Sequence, residues 1–325
     1  MYLKGKTVFL AGATGLAGSS VIRCLVDQYP DVQIRAAYHR TPPFVKHERV
    51  EYVRGDLRSR EDCRRMIQGC DCAVTAAANT AGAQGTILSP EKQVTNNAVM
   101  DAQMLESFCL ANLERVVFIS TASVYQEFAG FIREDQLDLN ADPPVFYLGV
   151  GWEKRFAEKL CRFWHDRKGI DIITVRAANL YGPYAKFDPA ASNFIPAIIR
   201  KAVDRGDPFE VWGHAGVVRD VVYGEDFARA VVQLLDDSSI KYDTFNVGAG
   251  ITTTVGEVVA LALKCSGHRP KTITYLEQAP ATIPFRALDC SKIREAIGWR
   301  PAKTLEEGIR ETTEWWINNK DWWKK

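Results

Sequence analysis

Three glycines, Gly12, Gly15 and Gly18, recur at intervals of three in TVFLAGATGLAGSSVIRCLV, directly after an apolar run and where a helical pattern opens. That placement suits a pyrophosphate. The glycines permit a tight turn, a close backbone approach to the phosphates and close helix packing. The helix N-terminus supplies amide donors and a positive dipole end, with Thr14 and Leu16 lining the turn. The spacing is GxxGxxG rather than GxGxxG, so strand, turn and helix together, not the glycines alone, predict a dinucleotide site. In NAD-preferring domains of this kind an acidic residue closes the second strand and bonds the ribose 2′-hydroxyl. Here that place reads AAYHRTPP, with Arg40 and no carboxylate. A guanidinium there suits a 2′-phosphate, so NADP is expected ahead of NAD.

Other reactive side chains are scattered. His39, His47, His165, His214 and His268 form no HxxxH pair, and the eight cysteines contain no CxxC. No metal centre is expected, and reduced thiols point to the cytosol.

The elements that must hold this loop are legible as alternation. Short β-branched runs (TVFLAG, VQIRAAY, VEYVRGD, CAVTAAA, RVVFIST and IDIITVRAAN) alternate with helical stretches over 16–28, 59–68, 91–111 and 152–167. This is the pattern of an α/β fold, a Rossmann doubly wound parallel sheet, with a smaller interleaved α/β C-terminal lobe. We expect residues 1–180 to form the dinucleotide-binding domain, with 217–250 returning to it, and residues 181–216 and 251–325 to form a substrate lobe. The net charge is +1, and no basic stripe or bilayer-length apolar run is present, so neither nucleic acid nor membrane is an expected partner. The apolar run near Met1 is too short for a signal peptide and leads straight into the glycines.

The strings AGATGLAG, GDLRS, AVTAAANTAG, TNNAVMDAQML, STASVY, RAANLYGPY, VWGHAGVVRDVVYGEDFARA, FNVGAG and IGWRPAKTLEEGIRETTEWW span nearly the whole chain. Together they resemble the extended short-chain dehydrogenase/reductase family, the nucleotide-sugar epimerases, dehydratases and reductases. NLYGPYAKFDPAASNFIPAIIRK and VWG are most similar to its GDP-L-fucose synthase branch. The resemblance implies that Asp56 and Leu57 face the adenine, that Ala77 lines the cofactor and that Asn97 packs near the active site. It implies that Asn179 and Arg219 hold the diphosphate region of a nucleotide sugar, and that the helices over 91–111 and 152–167 form a homodimer interface. Arg219 has a structural alternative, an ion pair with Asp220 or Glu225. Trp212 either stacks on a base or belongs to the core.

The family's working group is a Tyr with a Lys four residues later on one helical face, plus a Ser or Thr at a neighbouring strand end. This chain departs from it. In PPVFYLGVGWEKRFAEKLC, the register that keeps Lys154, Glu158 and Cys161 puts Val150 where the Tyr belongs. Anchoring on Tyr147 instead puts Gly151 where the Lys belongs. The first register keeps an uninterrupted helix and is preferred. Lys154 then keeps its cofactor role, Thr121 supplies the strand-end hydroxyl, and Tyr147, three residues before Val150, is the candidate replacement phenol, with Glu153 and Tyr184 as lesser candidates. Tyr147 packing after PPVF without a catalytic role is the alternative. In the fucose synthase branch a Cys and a His move the epimerising protons; Ser123 and Asn193 stand in their places, and neither titrates near neutrality. The expected activity is NAD(P)-dependent oxidation, reduction or epimerisation of a sugar carbon, C4 foremost, on a nucleotide sugar, with GDP-linked sugars first. A cofactor-binding sensor without turnover is the competing reading.

Overall fold

The computed structural model describes residues 1–80, 82, 90–276 and 283–321; Ala81 of the AVTAAANTAG string lies outside them. The strands are β1 (Thr7–Ala11), β2 (Gln33–Tyr38), β3 (Val50–Arg54), β4 (Cys72–Thr75), β5 (Arg115–Thr121), β6 (Phe131–Ile132), β7 (Asp171–Ala177), β8 (Asn179–Tyr181), β9 (Phe209–Trp212), β10 (Val218–Arg219), β11 (Val221–Tyr223), β12 (Tyr242–Val247), β13 (Thr253–Thr254), β14 (Ile273–Leu276) and β15 (Phe285–Leu288). The helices are α1 (Leu16–Gln28), α2 (Arg60–Ile67), α3 (Pro90–Leu110), α4 (Leu148–Lys168), α5 (Phe194–Val203), α6 (Gly224–Asp236), α7 (Val255–Ser266), α8 (Ser291–Ile297) and α9 (Leu305–Asn319).

Seven parallel strands form the main sheet in the order β12-β7-β5-β4-β1-β2-β3. Strands such as TVFLA and CAVT are apolar on both faces because helices cover both sides. One face packs Val8, Leu10 and Val117 against α1 and α6; the other packs Phe9, Val116 and Phe118 against α2, α3 and α4. The strand order reverses between β1 and β4, paired Leu10 to Val74, so a crevice opens beyond their carboxyl ends. The doubly wound Rossmann architecture expected from the alternation is present.

The later segments build smaller sheets over a separate apolar cluster of Ile195, Phe209, Val258 and Trp316. β10 lies between β13 and β15, β8 pairs with β11, and β9 pairs with β14. From 217–250, α6 and β12 join the main body, whereas β10 and β11 sit in the smaller sheets. Asp226 ties the C-terminal segment to α6, because its carboxylate accepts the amides of Ala302 and Lys303 at 3.0 Å each. One helix differs from its expected span: α4 begins at Leu148, not Trp152, with a 3-10 turn over Val145–Tyr147 before it. Pro143 and Pro144 supply the chain with a start signal that apolar periodicity alone does not reveal.

Candidate functional site

The turn between β1 and α1 is shaped by what it lies against. Gly12 has φ +76°, and a Cβ there would meet the amide nitrogen of Ala77 at 2.5 Å, so the turn presses onto the chain leaving β4. Gly18 packs as closely on the carbonyl of Gly12. Gly15 is exposed, Thr14 and Leu16 are half-buried, and α1 has neither a side-chain cap nor an acidic residue in its first turn. Free amides at an uncapped helix start, beside a surface that only glycine permits, fit a pyrophosphate.

Beyond β2 and β3 the charge is mostly positive. Arg40 is exposed, and Arg54 donates to the carbonyl of His39 at 3.2 Å. Asp56 is already held by Arg58 at 2.6 Å, a hydrogen-bonded pair that lowers its carboxyl to about 2. Leu57 is buried among the apolar groups under α2.

At the end of β5, Thr121 Oγ1 accepts the Ser123 amide at 3.2 Å and donates to Ser123 Oγ at 3.3 Å. Arg286 of β15 donates to the same Ser123 oxygen at 3.3 Å, and its guanidinium lies 4.0 Å over the ring of Tyr147. The structure therefore brings Thr121, Ser123, Tyr147 and Arg286 into one chain of contacts. Arg286 was not singled out by the sequence reading. It sits in FRAL, a short strand whose other side chains are apolar, and only its pairing with β10 reveals its place.

That pairing puts two cations side by side. Arg219 and Arg286 are register partners in adjacent parallel strands and both are buried. Burial lowers the pKa of each; Arg286 falls to about 10, with the charge of Arg219 adding to the effect. Neighbouring buried guanidiniums repel unless an anion lies against both. Asp220 fixes the strand that carries Arg219: its carboxylate accepts the amides of Ala249 at 2.8 Å, Gly250 at 3.3 Å and Leu288 at 3.4 Å. Glu225, the other partner considered for Arg219, lies 3.3 Å from Arg23.

The two registers across α4 are separated by packing. A Cβ on Gly151 would meet the carbonyl oxygen of Ser123 at 2.5 Å, so no lysine fits there and Lys154 is the lysine of this helix face. Lys154 is buried over the Phe118 ring, with its ammonium 2.5 Å from Asp101 and 3.9 Å from Glu153. Burial works against its charge, but the two carboxylates outweigh burial and raise its pKa. Asn97, one turn before Asp101 on α3, clamps the Asn79 backbone through both its amide and its carbonyl. Glu158 bonds Arg176 and Ser120, which ties α4 to β5 and β7.

Other expected site residues lie apart from this contact chain. Asn179 donates to the carbonyl of Asp220 at 3.1 Å, and Asn193 is the exposed N-cap of α5. Trp212 is 45% exposed at the end of β9, with the Lys201 ammonium 6.0 Å from its ring, so it is not core. Tyr184 packs against Phe44 and Trp315, an aromatic group that engages its ring elsewhere.

Comparison with known proteins agrees with this geometry. The model of the NAD dependent epimerase/dehydratase family matches residues 8–248. A GDP-L-fucose synthase of Sinorhizobium fredii is 28% identical, covering 98% of each chain. A dTDP-4-dehydro-6-deoxy-D-allose reductase of a Streptomyces species is 27% identical, covering 96% of each. In fold, the chain is similar to a UDP-glucose 4-epimerase of Thermotoga maritima, with a TM-score of 0.84, 21% identity and coverage of 96% and 99%. With the glycine turn, the strand-end threonine and the helix lysine all inside the matched span, the chain belongs to the NAD dependent epimerase/dehydratase family.

Proposed function

We propose that this chain is an NAD(P)-dependent oxidoreductase or epimerase of a nucleotide sugar, with NADP preferred and GDP-linked sugars first among substrates, acting at a C4 hydroxyl or ketone. The observation that carries the reading is the contact chain from Thr121 through Ser123 to Arg286 and Tyr147, with Arg219 in register beside Arg286. Two adjacent buried guanidiniums suit the diphosphate of a nucleotide sugar. A sugar held there would present its oxygen to the Thr121 hydroxyl, and Tyr147 would give or take the proton at that oxygen. The turn of Gly12, Thr14, Gly15, Leu16 and Gly18, with Ala77 behind it, would hold the dinucleotide; Asp56 and Leu57 would flank its adenine, Arg40 its 2′-phosphate and Lys154 its ribose. When bound, the nicotinamide supplies the hydride chemistry. Asn179 and Trp212 would meet the nucleotide, and Ser123 and Asn193 would border the sugar without moving protons.

Two wider expectations belong to the same reading. Val99 and Leu110 on α3, and Trp152, Phe156 and Phe163 on α4, are exposed and apolar, which supports a homodimer through these helices. All eight cysteines are unpaired thiols, which supports a cytosolic protein, and no described helix is long and apolar enough to cross a membrane.

A cofactor-binding protein without turnover is the second reading, favoured by Val150 and by the pairing of Lys154 with Asp101. Incubation with NADPH or NADP+ and a panel of GDP-, UDP- and dTDP-sugars, following the absorbance of the reduced nicotinamide, separates the two. Hydride transfer with at least one sugar supports the enzyme; binding of cofactor and sugar nucleotide with no transfer from any of them supports the silent protein.

A further inference from the structure

Glu153 lies on the α4 surface that packs against α3 and is 5% exposed. No hydrogen-bond donor among the described residues reaches either of its carboxylate oxygens, nor Oδ1 of Asp101. Asp101 Oδ2 lies 2.5 Å from the Lys154 ammonium, and Glu153 lies 3.9 Å from it. Two carboxylates thus share a single cation in a space closed to water. If both were ionised, the interior would carry one uncompensated negative charge, which low-dielectric surroundings strongly disfavour. Two carboxyl groups that share a site instead retain one proton between them.

The proton belongs to Glu153. Burial is the foremost cause, the Lys154 ammonium opposes it, and the Asp101 charge adds to it; together they raise the carboxyl to about 8. Asp101 on α3 and Lys154 on α4 are the charged groups that act on Glu153. The Phe118 ring of β5 closes the other side of the ammonium, and the Cys161 thiol lies beyond it on α4.

We propose that Glu153 holds a proton behind Lys154, beside the Asp101 carboxylate, and that this proton sets how far the ammonium is available to the cofactor groove. With the proton present, Lys154 is restrained by Asp101 alone. Without it, a second carboxylate competes for the ammonium and draws it back between α3 and α4. Glu153 is therefore a positioning residue that acts through Lys154. The inference rests on the cofactor role given to Lys154 above.

The test compares the wild type with Glu153→Gln, which keeps the shape of a protonated carboxyl. The first arm is thermal unfolding without cofactor from pH 6 to 9.5. A carboxyl whose folded pKa is raised contributes stability that is complete below its unfolded value and is lost as pH rises through the folded value. The wild type should therefore lose stability toward pH 8 relative to the variant, a gap that widens by roughly 5 °C and then levels. The second arm titrates NADPH and NADH by fluorescence between pH 7 and 9.5. If only the protonated form binds, wild-type Kd weakens about tenfold by pH 9, while the variant keeps its pH 7 value throughout. A constant unfolding gap, or the same pH dependence of Kd in both proteins, overturns the inference. Absence of any dinucleotide binding at pH 7 contradicts the cofactor reading itself, and the unfolding arm still reads the proton.

Discussion

Tyr147 stands one residue ahead of α4, and its ring lies beneath the guanidinium of Arg286 rather than in an apolar core. A phenol there is the group to which the proposed function gives the proton-moving role that Val150 cannot fill. Tyr147→Phe keeps the ring and its cation contact but removes the hydroxyl, so turnover should fall by roughly 10²–10⁴-fold while sugar-nucleotide affinity stays near its wild-type value. Near-normal turnover would return Tyr147 to a packing role. Beyond β2, Arg40→Ala should weaken NADP+ binding far more than NAD+ binding, as measured by competitive titration; equal losses would remove Arg40 from the proposed 2′-phosphate site. Thr121 and Lys154 could be proposed from spacing and resemblance, and the structure places them at the end of β5 and buried on α4. Arg286 could not be proposed, because a two-residue strand pairing between distant segments leaves no periodic trace. The Asp101–Glu153 contact was hidden for a similar reason: the two residues are far apart in sequence and meet only when α3 packs on α4.

At the scale of elements, most of the parallel strands and α1 could be read from the chain to within a residue or two, because buried parallel strands are continuous apolar runs, but β4 ends at Thr75, three residues before the apolar CAVTAAA run does. The start of α4 could not, since its first turn, LGVG, carries two glycines and no polar cap. The register across that helix became decidable only when Gly151 was seen against the Ser123 carbonyl. The β1–α1 turn yields the sharpest element-level expectation. Gly12→Ala places a methyl against the backbone of Ala76 and Ala77 and adds a left-handed conformation costing about 1–2 kcal/mol. The melting temperature should fall, and dinucleotide binding should be lost even at temperatures where circular dichroism shows the variant folded. Retained binding would show that the turn does not approach the phosphates.

For the molecule as a whole, the smaller sheets carry the paired arginines to the carboxyl end of β5, where Arg286 meets Ser123, and Asp220 joins β10, β15 and the chain after β12 in one set of hydrogen bonds. The interleaving of the lobes was foreseen in outline, but short strands such as β10 and β13 have too few residues for alternation to mark them. On the outer face, exposed Phe156 and Phe163 lie seven residues apart on α4, close to two helical turns. Phe156→Asp should convert a dimer into a monomer by light scattering without lowering the melting temperature of the monomer fold; an unchanged mass would place the contact elsewhere. The central claim is that the glycine turn and the crevice beside it hold a nicotinamide dinucleotide. Fluorescence titration of the purified protein with NADPH tests it most directly. Saturable binding of one dinucleotide per chain, displaced by NADP+, is the predicted result, and absence of saturable binding by NADPH, NADH, NADP+ and NAD+ alike would contradict it.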